Sequence, residues 1–268
     1  MERTKKYEYV DEYLLKIRSK GRFSFTFEEL NQIFDSSEQA IRRKLYRLKA
    51  DNKIAIIRKD FYVVLPPEYA QNGSLPIFLY MDDLMKYLGR DYYLGLYTAA
   101  SLYGAAHQQP MEYQVIVRSP MRAIIENNIR INFLVRKTWE QESVEKKNAA
   151  AGYFNVSSPE LTALDFMSFN GKIGGMSRII PILEELIEEI KSSRMYKIAL
   201  SYPQISSLQR LGYLYDNVFN RRDLAMSIQR ALKGKTTQTV LLSIASPKYG
   251  NIDKDWKIDV NVIIENDL

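Results

Sequence analysis

A short basic segment near the N-terminus carries the side chains best suited to chemistry with a partner. Its long polar residues are Gln39, Arg42, Arg43, Tyr46 and Arg47. Arginine and glutamine form bidentate hydrogen bonds with base edges, and arginine, lysine and tyrosine also reach phosphates. These residue types predict contact with nucleic acid. A basic surface that only faces solvent is the alternative.

Apolar residues in the same segment predict the helix that would position these side chains. Ile41, Leu45 and Leu48 recur at helical spacing and form a buried stripe opposite the basic face of a helix over 36–51. Ser36 stands three residues before Gln39, which is the spacing of a capping box. The backbone N–H groups of Ser36 and Ser37 would then face a phosphate.

The segments on either side complete a recognisable unit. A helix over 7–19 and a second one over about 26–34 precede the basic helix, and Thr26 has capping-box spacing to Glu29. A three-residue turn between the last two helices is typical of a helix-turn-helix. Strands at 54–57 and 61–65 then form a hairpin, a wing with Arg58 and Lys59 at its tip. The sequence therefore predicts a winged helix-turn-helix domain over 1–66.

Charge is concentrated in this first part of the chain. The net charge is +6, and residues 1–65 hold 15 Lys/Arg against 10 Asp/Glu, whereas the remainder holds 23 against 22. A basic head on a near-neutral body indicates a polyanionic partner. On charge alone, a nucleic-acid partner (DNA or RNA) and a solvated basic surface with no partner are equally favoured.

A Pro-, Gly- and Asn-rich linker over 67–76 leads to a second domain over 77–268. Its patterns predict helices at 80–88, 91–103, 159–169, 176–191, 204–214 and 221–232. They predict strands at 113–118, 129–136, 152–157, 239–245 and 256–264. The fold class is therefore α+β, a winged helix followed by a larger mixed domain. Arg130, Arg136 and Lys137 are candidates for a second basic surface, although scattered solvated charges are the simpler interpretation.

Several functional classes are disfavoured by composition. The chain has no cysteine and one histidine, His107, so we expect no disulfide, no metal site and no Ser-His-Asp chemistry. Gly174-Gly175-Met176-Ser177 invites comparison with the start of a nucleotidyltransferase site, but no Asp pair follows it. Instead Glu184, Glu185, Glu188 and Glu189 fit the solvated face of an amphipathic helix, and Asp253 and Asp255 lie far along the chain. We expect no enzymatic activity and no cofactor.

The chain shows no sign of membrane insertion or export. No apolar run approaches the ~20 residues that span a bilayer, and the first residues lack the apolar core of a signal peptide. We expect a cytoplasmic protein with no membrane partner.

Several segments together resemble one protein family. They are YYLGLYTAASLYGAAHQQPMEYQVIV at 92–117, VSSPELTALDF at 156–166, LQRLGYLYD at 208–216 and WKIDVNVIIEND at 256–267. With the N-terminal elements in the same order, the chain resembles AbiEi-type antitoxins of bacterial type IV toxin–antitoxin systems, which act in abortive infection as a defence against phage.

The resemblance implies a function that composition does not supply. Such proteins counteract a nucleotidyltransferase toxin and repress their own operon by binding inverted repeats in promoter DNA. It also implies DNA contact by Gln39, Arg42, Arg43, Tyr46 and Arg47, and by Arg58 and Lys59 of the wing. A ligand-sensing winged-helix transcription factor is the alternative, and an apolar pocket in the second domain would favour it.

Overall fold

The computed structural model describes residues 9–105, 112–127, 129–246 and 250–262. Helices and several sheets occur together, which confirms the predicted mixed α+β class. The helices in these ranges are α1 (Val10–Ser19), α2 (Phe27–Ile33), α3 (Glu38–Ala50), α4 (Pro67–Ala70), α5 (Met81–Tyr87), α6 (Leu96–Leu102), α7 (Pro159–Phe169), α8 (Met176–Leu186), α9 (Ser192–Ser201), α10 (Ile205–Asn217) and α11 (Arg222–Leu232).

Most strands are short. They are β1 (Ser24–Thr26), β2 (Ile54–Arg58), β3 (Phe61–Val64), β4 (Tyr92–Leu94), β5 (Glu112–Val117), β6 (Ile124–Glu126), β7 (Ile129–Val135), β8 (Val144–Ala149), β9 (Gly152–Ser157), β10 (Val240–Leu241), β11 (Asn251–Asp253) and β12 (Ile258–Val260). They form three sheets, in the orders β1-β3-β2, β10-β12-β11 and β6-β7-β5-β4-β9-β8. The chain divides into two compact units, the first of residues 1–93, 111–137 and 146–155, and the second of the remainder.

The N-terminal part of the first unit has a core of its own. Fourteen buried side chains between Val10 and Val64 pack together, from α1, α2, α3 and the sheet of β1, β3 and β2. Phe25, Leu30 and Leu48 are almost fully buried within it. Thr26 caps α2 in a complete capping box with Glu29, as the spacing predicts. Local signals therefore located these elements well.

In the rest of the first unit, β5 and β7 pair in parallel over six residues each, and β6 pairs with β7 in antiparallel register. Val115, Ile116 and Val117 of β5 are completely buried, as expected of a central strand. Strand β6 was not predicted, because its three residues are too few to give a periodic signal.

Helix α7 is central to the second unit. Nearly all its residues are buried, and it packs against α6, α8, α9 and α10. Ser158 begins it by accepting a hydrogen bond from Leu161 N, and Pro159 occupies the first helical position, where its missing N–H costs nothing. The segment VSSPELTALDF thus gives a well-capped helix that is buried on nearly every side, including at its polar residues Glu160, Thr162 and Asp165.

A close contact joins two distant segments of the second unit. The indole of Trp256 lies on Gly212 of α10 and is 2% exposed. Trp256 Nε1 donates to Asp216 Oδ2 over 3.0 Å, and Gln209 Nε2 donates to the Trp256 carbonyl oxygen over 2.8 Å. The absence of a side chain at position 212 is what admits the ring.

Several predicted elements were wrong in type or extent. The helix at 91–103 is a strand, β4, followed by the shorter α6, because Leu96 has a φ of 54° and breaks the helical path. The helix at 176–191 ends at Leu186 and gives way to a 3-10 turn, and α9 was missed. The strands at 239–245 and 256–264 shrink to β10 and β12 within the described residues, and β8 and β11 were not predicted.

Candidate nucleic-acid interface

Helix α3 presents two faces of opposite character. Ile41, Leu45 and Leu48 are buried, as predicted from their spacing. All the predicted contact residues on the helix are exposed, namely Gln39, Arg42, Arg43, Tyr46 and Arg47. The Tyr46 side chain is 78% exposed, which is unusual for a large aromatic ring. The apolar stripe therefore fixes the rotation of the helix, and the rotation turns the basic side chains outward.

The cations of α3 differ in whether the protein already neutralises them. Arg42 pairs with Asp60 at 3.1 Å, and its guanidinium lies 3.8 Å from the centre of the Phe27 ring. Arg43 and Arg47 form no ion pair with any part of the chain that the structure describes. They are the members of the set best placed to bind an external anion.

Two lysines of α3 are committed to contacts within the protein. Lys44 pairs with Asp11 of α1, and this hydrogen bond lowers the pKa of the Asp11 carboxyl below its usual range. Lys49 pairs with Glu126 at 3.3 Å. Both lysines are therefore engaged by acidic side chains of the protein itself, and neither belongs to the predicted contact set.

The hairpin of β2 and β3 places the other predicted contacts. Its turn reverses at Asp60, whose φ of 60° is one that Asp tolerates better than most residues. Lys59 is exposed, and its carbonyl oxygen accepts a hydrogen bond from Tyr87 over 3.3 Å. Arg58 is half-buried and donates to the Arg122 carbonyl oxygen over 2.5 Å. The tip therefore rests on later parts of the first unit.

The start of α3 differs from the prediction by one residue. Ile41 N donates to the Ser37 carbonyl oxygen, and the Ser37 hydroxyl accepts from Ala40 N over 3.3 Å, so Ser37 is the N-cap. The predicted capping box of Ser36 and Gln39 is wrong, because the helix begins one residue later. Both serines are exposed at this helix end.

The two adjacent serines allow a matched test of this assignment. Ser37→Ala should lower the free energy of unfolding by about 1 kcal/mol, because Ala40 N loses its acceptor. Ser36→Ala should change it by less than about 0.5 kcal/mol, because the Ser36 hydroxyl makes no hydrogen bond within the described residues. Urea unfolding followed by circular dichroism measures both, and equal losses would show that the cap is misassigned.

The candidates for a second basic surface fall in different environments. Arg130 is exposed, lies 3.7 Å from Glu112 and donates to Asn132 over 3.2 Å. Lys137 is exposed, whereas Arg136 is only 9% exposed. Arg136 thus does not present its guanidinium to an external partner in the way that Arg130 and Lys137 do. The proposed surface itself stays a prediction.

The described residues offer little that is typical of catalysis. They contain no group of three or more His, Asp or Glu side chains placed to hold a metal ion. Glu184, Glu185, Glu188 and Glu189 are exposed, as predicted for a solvated face. His107 lies outside the described residues. No helix in the described ranges is both long and apolar enough to cross a bilayer.

A cavity of about 410 Å³ opens in the second unit. Its lining combines the polar or charged residues Gln209, Gln229, Arg230, Lys233, Lys235, Thr237 and Asp255 with the apolar side chains of Leu232 and Trp256. A cavity with four charged residues in its lining fits a small-molecule sensor less well than an apolar pocket would.

Sequence reasoning missed the side chains that support the hairpin tip. Tyr87 packs on Phe61 with ring centres 5.4 Å apart, and the loop containing Arg122 meets Arg58. No periodic pattern links residues so far apart in sequence. The Arg118 to Arg122 run, with two arginines around Ser-Pro, was the one available signal.

Comparison with known protein families gives a match for the middle of the chain. Residues 93–217 match the family model described as the AbiEi antitoxin C-terminal domain. No curated protein matches this chain.

A solved structure shares the fold of most of the chain. The crystal structure of RV2827C protein from Mycobacterium tuberculosis has a TM-score of 0.65 at 14% identity, covering 92% of this chain and 89% of that chain. At that identity the likeness shows the fold alone. An antigenic nucleotidyltransferase-like protein from Paracoccidioides brasiliensis is also similar, at 12% identity over 56% of this chain and 88% of that one. Its TM-score of 0.34 carries no argument. The family match confirms the resemblance seen in the sequence, to the AbiEi antitoxin C-terminal domain over residues 93–217.

Proposed function

We propose that this chain binds double-stranded promoter DNA through an N-terminal winged helix-turn-helix and represses its own operon. The observation that carries the proposal is the exposed face of α3, where Arg43, Tyr46 and Arg47 are uncommitted within the described residues. A rigid helix that presents such side chains fits the major groove of B-DNA. Repression is then steric, because the bound protein covers the promoter.

The order of elements supports this assignment. Three helices precede the β2–β3 hairpin, and β1 pairs with β3 to complete a small sheet, the order expected of a winged helix. The self-contained core between Val10 and Val64 supports a DNA-binding domain over 1–66, with a linker over 67–76 and the remaining domain over 77–268. The head is nevertheless tied to later residues, since Ser24 donates to Asp83 over 2.5 Å.

The second half of the proposal concerns a toxin. We propose that the domain over 77–268 counteracts a cognate nucleotidyltransferase toxin, and the support is the AbiEi match at 93–217. The proposal includes no catalytic role for the chain and does not require direct contact with the toxin. The cytoplasm, where promoter DNA is located, is the proposed location.

Two assays on the wild-type chain test the two halves separately. Fluorescence anisotropy with a labelled duplex from upstream of its gene should show binding that weakens steeply with salt, with a log–log slope of about −0.9 per phosphate neutralised. Co-expression with a neighbouring nucleotidyltransferase-like gene should restore growth. Affinity that is insensitive to salt, or equal for unrelated DNA, would refute the DNA-binding half. Failure to restore growth would refute the antitoxin half.

A further inference from the structure

The loop between β5 and β6 lies against the tip of the proposed wing. Arg58 Nη2 donates to the Arg122 carbonyl oxygen over 2.5 Å. On the adjoining side, Tyr87 contacts both Phe61 and the Lys59 carbonyl oxygen. The tip and this loop, Arg118 to Arg122, therefore form one continuous surface.

This surface holds more positive charge than the protein neutralises. Arg58, Lys59 and Arg122 form no ion pair within the described ranges, and both Lys59 and Arg122 are exposed. Nearby, Arg90 donates to Ser119 over 2.5 Å, and Arg118 pairs at 2.9 Å with Asp91, which is itself 72% exposed. Cations that outnumber the acids beside them repel each other, and a polyanion relieves that repulsion.

The surface also continues from α3. The Arg42 guanidinium bridges to Asp60 in the hairpin turn, so the turn directly adjoins the basic face of the helix. From α3 the positive side chains run through the turn to Arg58 and Lys59, and then to Arg122. When a helix lies in the major groove, the protein segments next to it lie beside the phosphates that flank the contacted bases.

We propose that Arg122 binds a backbone phosphate of duplex DNA, beyond the wing. The protein then covers a longer stretch of DNA than residues 1–66 reach by themselves. A residue outside the proposed head thus takes part in DNA binding. This inference rests on the proposed DNA-binding function and extends its footprint.

Substitution of Arg122 is informative because its contact with Arg58 uses only the main chain. Arg122→Ala keeps the carbonyl acceptor and should leave the fold intact, as checked by thermal unfolding. Its affinity for the upstream duplex should fall by about three- to tenfold, and its salt slope by about 1. Arg122→Lys should retain most of the affinity, because a lysine also binds phosphate.

A matched control separates a local contact from a general loss of charge. Lys197→Ala removes one exposed positive charge from α9 in the second unit and should change neither affinity nor salt slope. Duplexes shortened stepwise from each end provide the second comparison. At one length the wild type should weaken to the level of Arg122→Ala, and the variant should bind long and short duplexes alike.

The outcomes distinguish this inference from the function on which it rests. If the wild type binds but Arg122→Ala matches Lys197→Ala in affinity and slope, the longer footprint is overturned while DNA binding by α3 stands. If the wild type does not bind the upstream duplex, the proposed function fails first. Loss of affinity in Arg122→Ala that is equal at every duplex length would also overturn the phosphate contact beyond the wing.

Discussion

A chain carrying both Arg43→Ala and Arg47→Ala should bind its upstream duplex roughly 30-fold more weakly or worse. A good bidentate contact between arginine and a base is worth about 1–3 kcal/mol, and the two substitutions remove two candidates. Neither guanidinium is engaged by an acidic side chain within the described residues, so the wild type has its full charge available for DNA. Anisotropy titrations at one fixed salt concentration measure the loss.

The same double variant should fold normally. Both positions are exposed on α3, and alanine is at least as good a helix former as arginine. We expect a change in unfolding free energy within about 0.5 kcal/mol for each position. Unfolding curves that shift strongly would mean that the arginines support the fold instead.

Arg18→Ala with Lys20→Ala is the matched control, since it removes two positive charges at the end of α1. It should bind DNA nearly as the wild type does.

The Arg43/Arg47 variant should still restore growth in the presence of the toxin if DNA binding and toxin counteraction are separable functions. A variant that still binds the duplex at wild-type strength would show that α3 is not the recognition helix.

Gly212→Ala should destabilise the second unit by about 3 kcal/mol or more, which is roughly 6–12 °C in Tm. A Cβ built at this position would lie 1.9 Å from Cζ3 of Trp256, well inside van der Waals contact. The indole must then move, and it gives up its burial and its hydrogen bond to Asp216. In a solvated helix the same change would be stabilising by up to about 1 kcal/mol, so the sign alone tests the contact.

Gly171→Ala provides the comparison for this variant. A Cβ there would meet Ile244 at 3.7 Å, an ordinary contact, and its φ is not in the left-handed region. We expect a small change in Tm. Trp256→Phe combined with Gly212→Ala should cost less than the sum of the two single changes, because the smaller ring relieves the clash. A neutral or stabilising Gly212→Ala would refute the packing of Trp256 on α10.

The Gly212 variant also links stability to the proposed antitoxin role. If the domain over 77–268 counteracts the toxin, its destabilisation should weaken growth rescue at elevated temperature, whereas Gly171→Ala should not. DNA binding by the head should persist as long as the first unit stays folded. The Arg43/Arg47 variant is thus expected to fail in the DNA-binding assay, and the Gly212 variant in the growth-rescue assay at elevated temperature.

Prediction from sequence succeeded mainly where the signal lies within a few residues, although the capping box assigned to Ser36 and Gln39 was displaced by one residue. The capping box of Thr26 and Glu29 and the buried stripe of α3 follow from spacings of three or four positions. It failed for β4, where aromatic and apolar residues fit a helix as well as a strand. Leu94 of β4 pairs with Val156 of β9, which lies far along the chain. This sheet pairing makes the segment a strand and not a helix.

The sequence by itself determined the α+β class, the family resemblance, the helices around the N-terminal turn and the outward face of α3. Only the tertiary structure decided which cations on that helix are neutralised, because Arg42 pairs with Asp60, which lies 18 residues further along the sequence. It also decided that Arg58 meets the Arg122 loop across 64 positions, and that Gly212 makes room for Trp256. Helical periodicity and caps are properties of neighbouring residues, whereas ion pairs and ring contacts depend on chain segments that folding alone brings together.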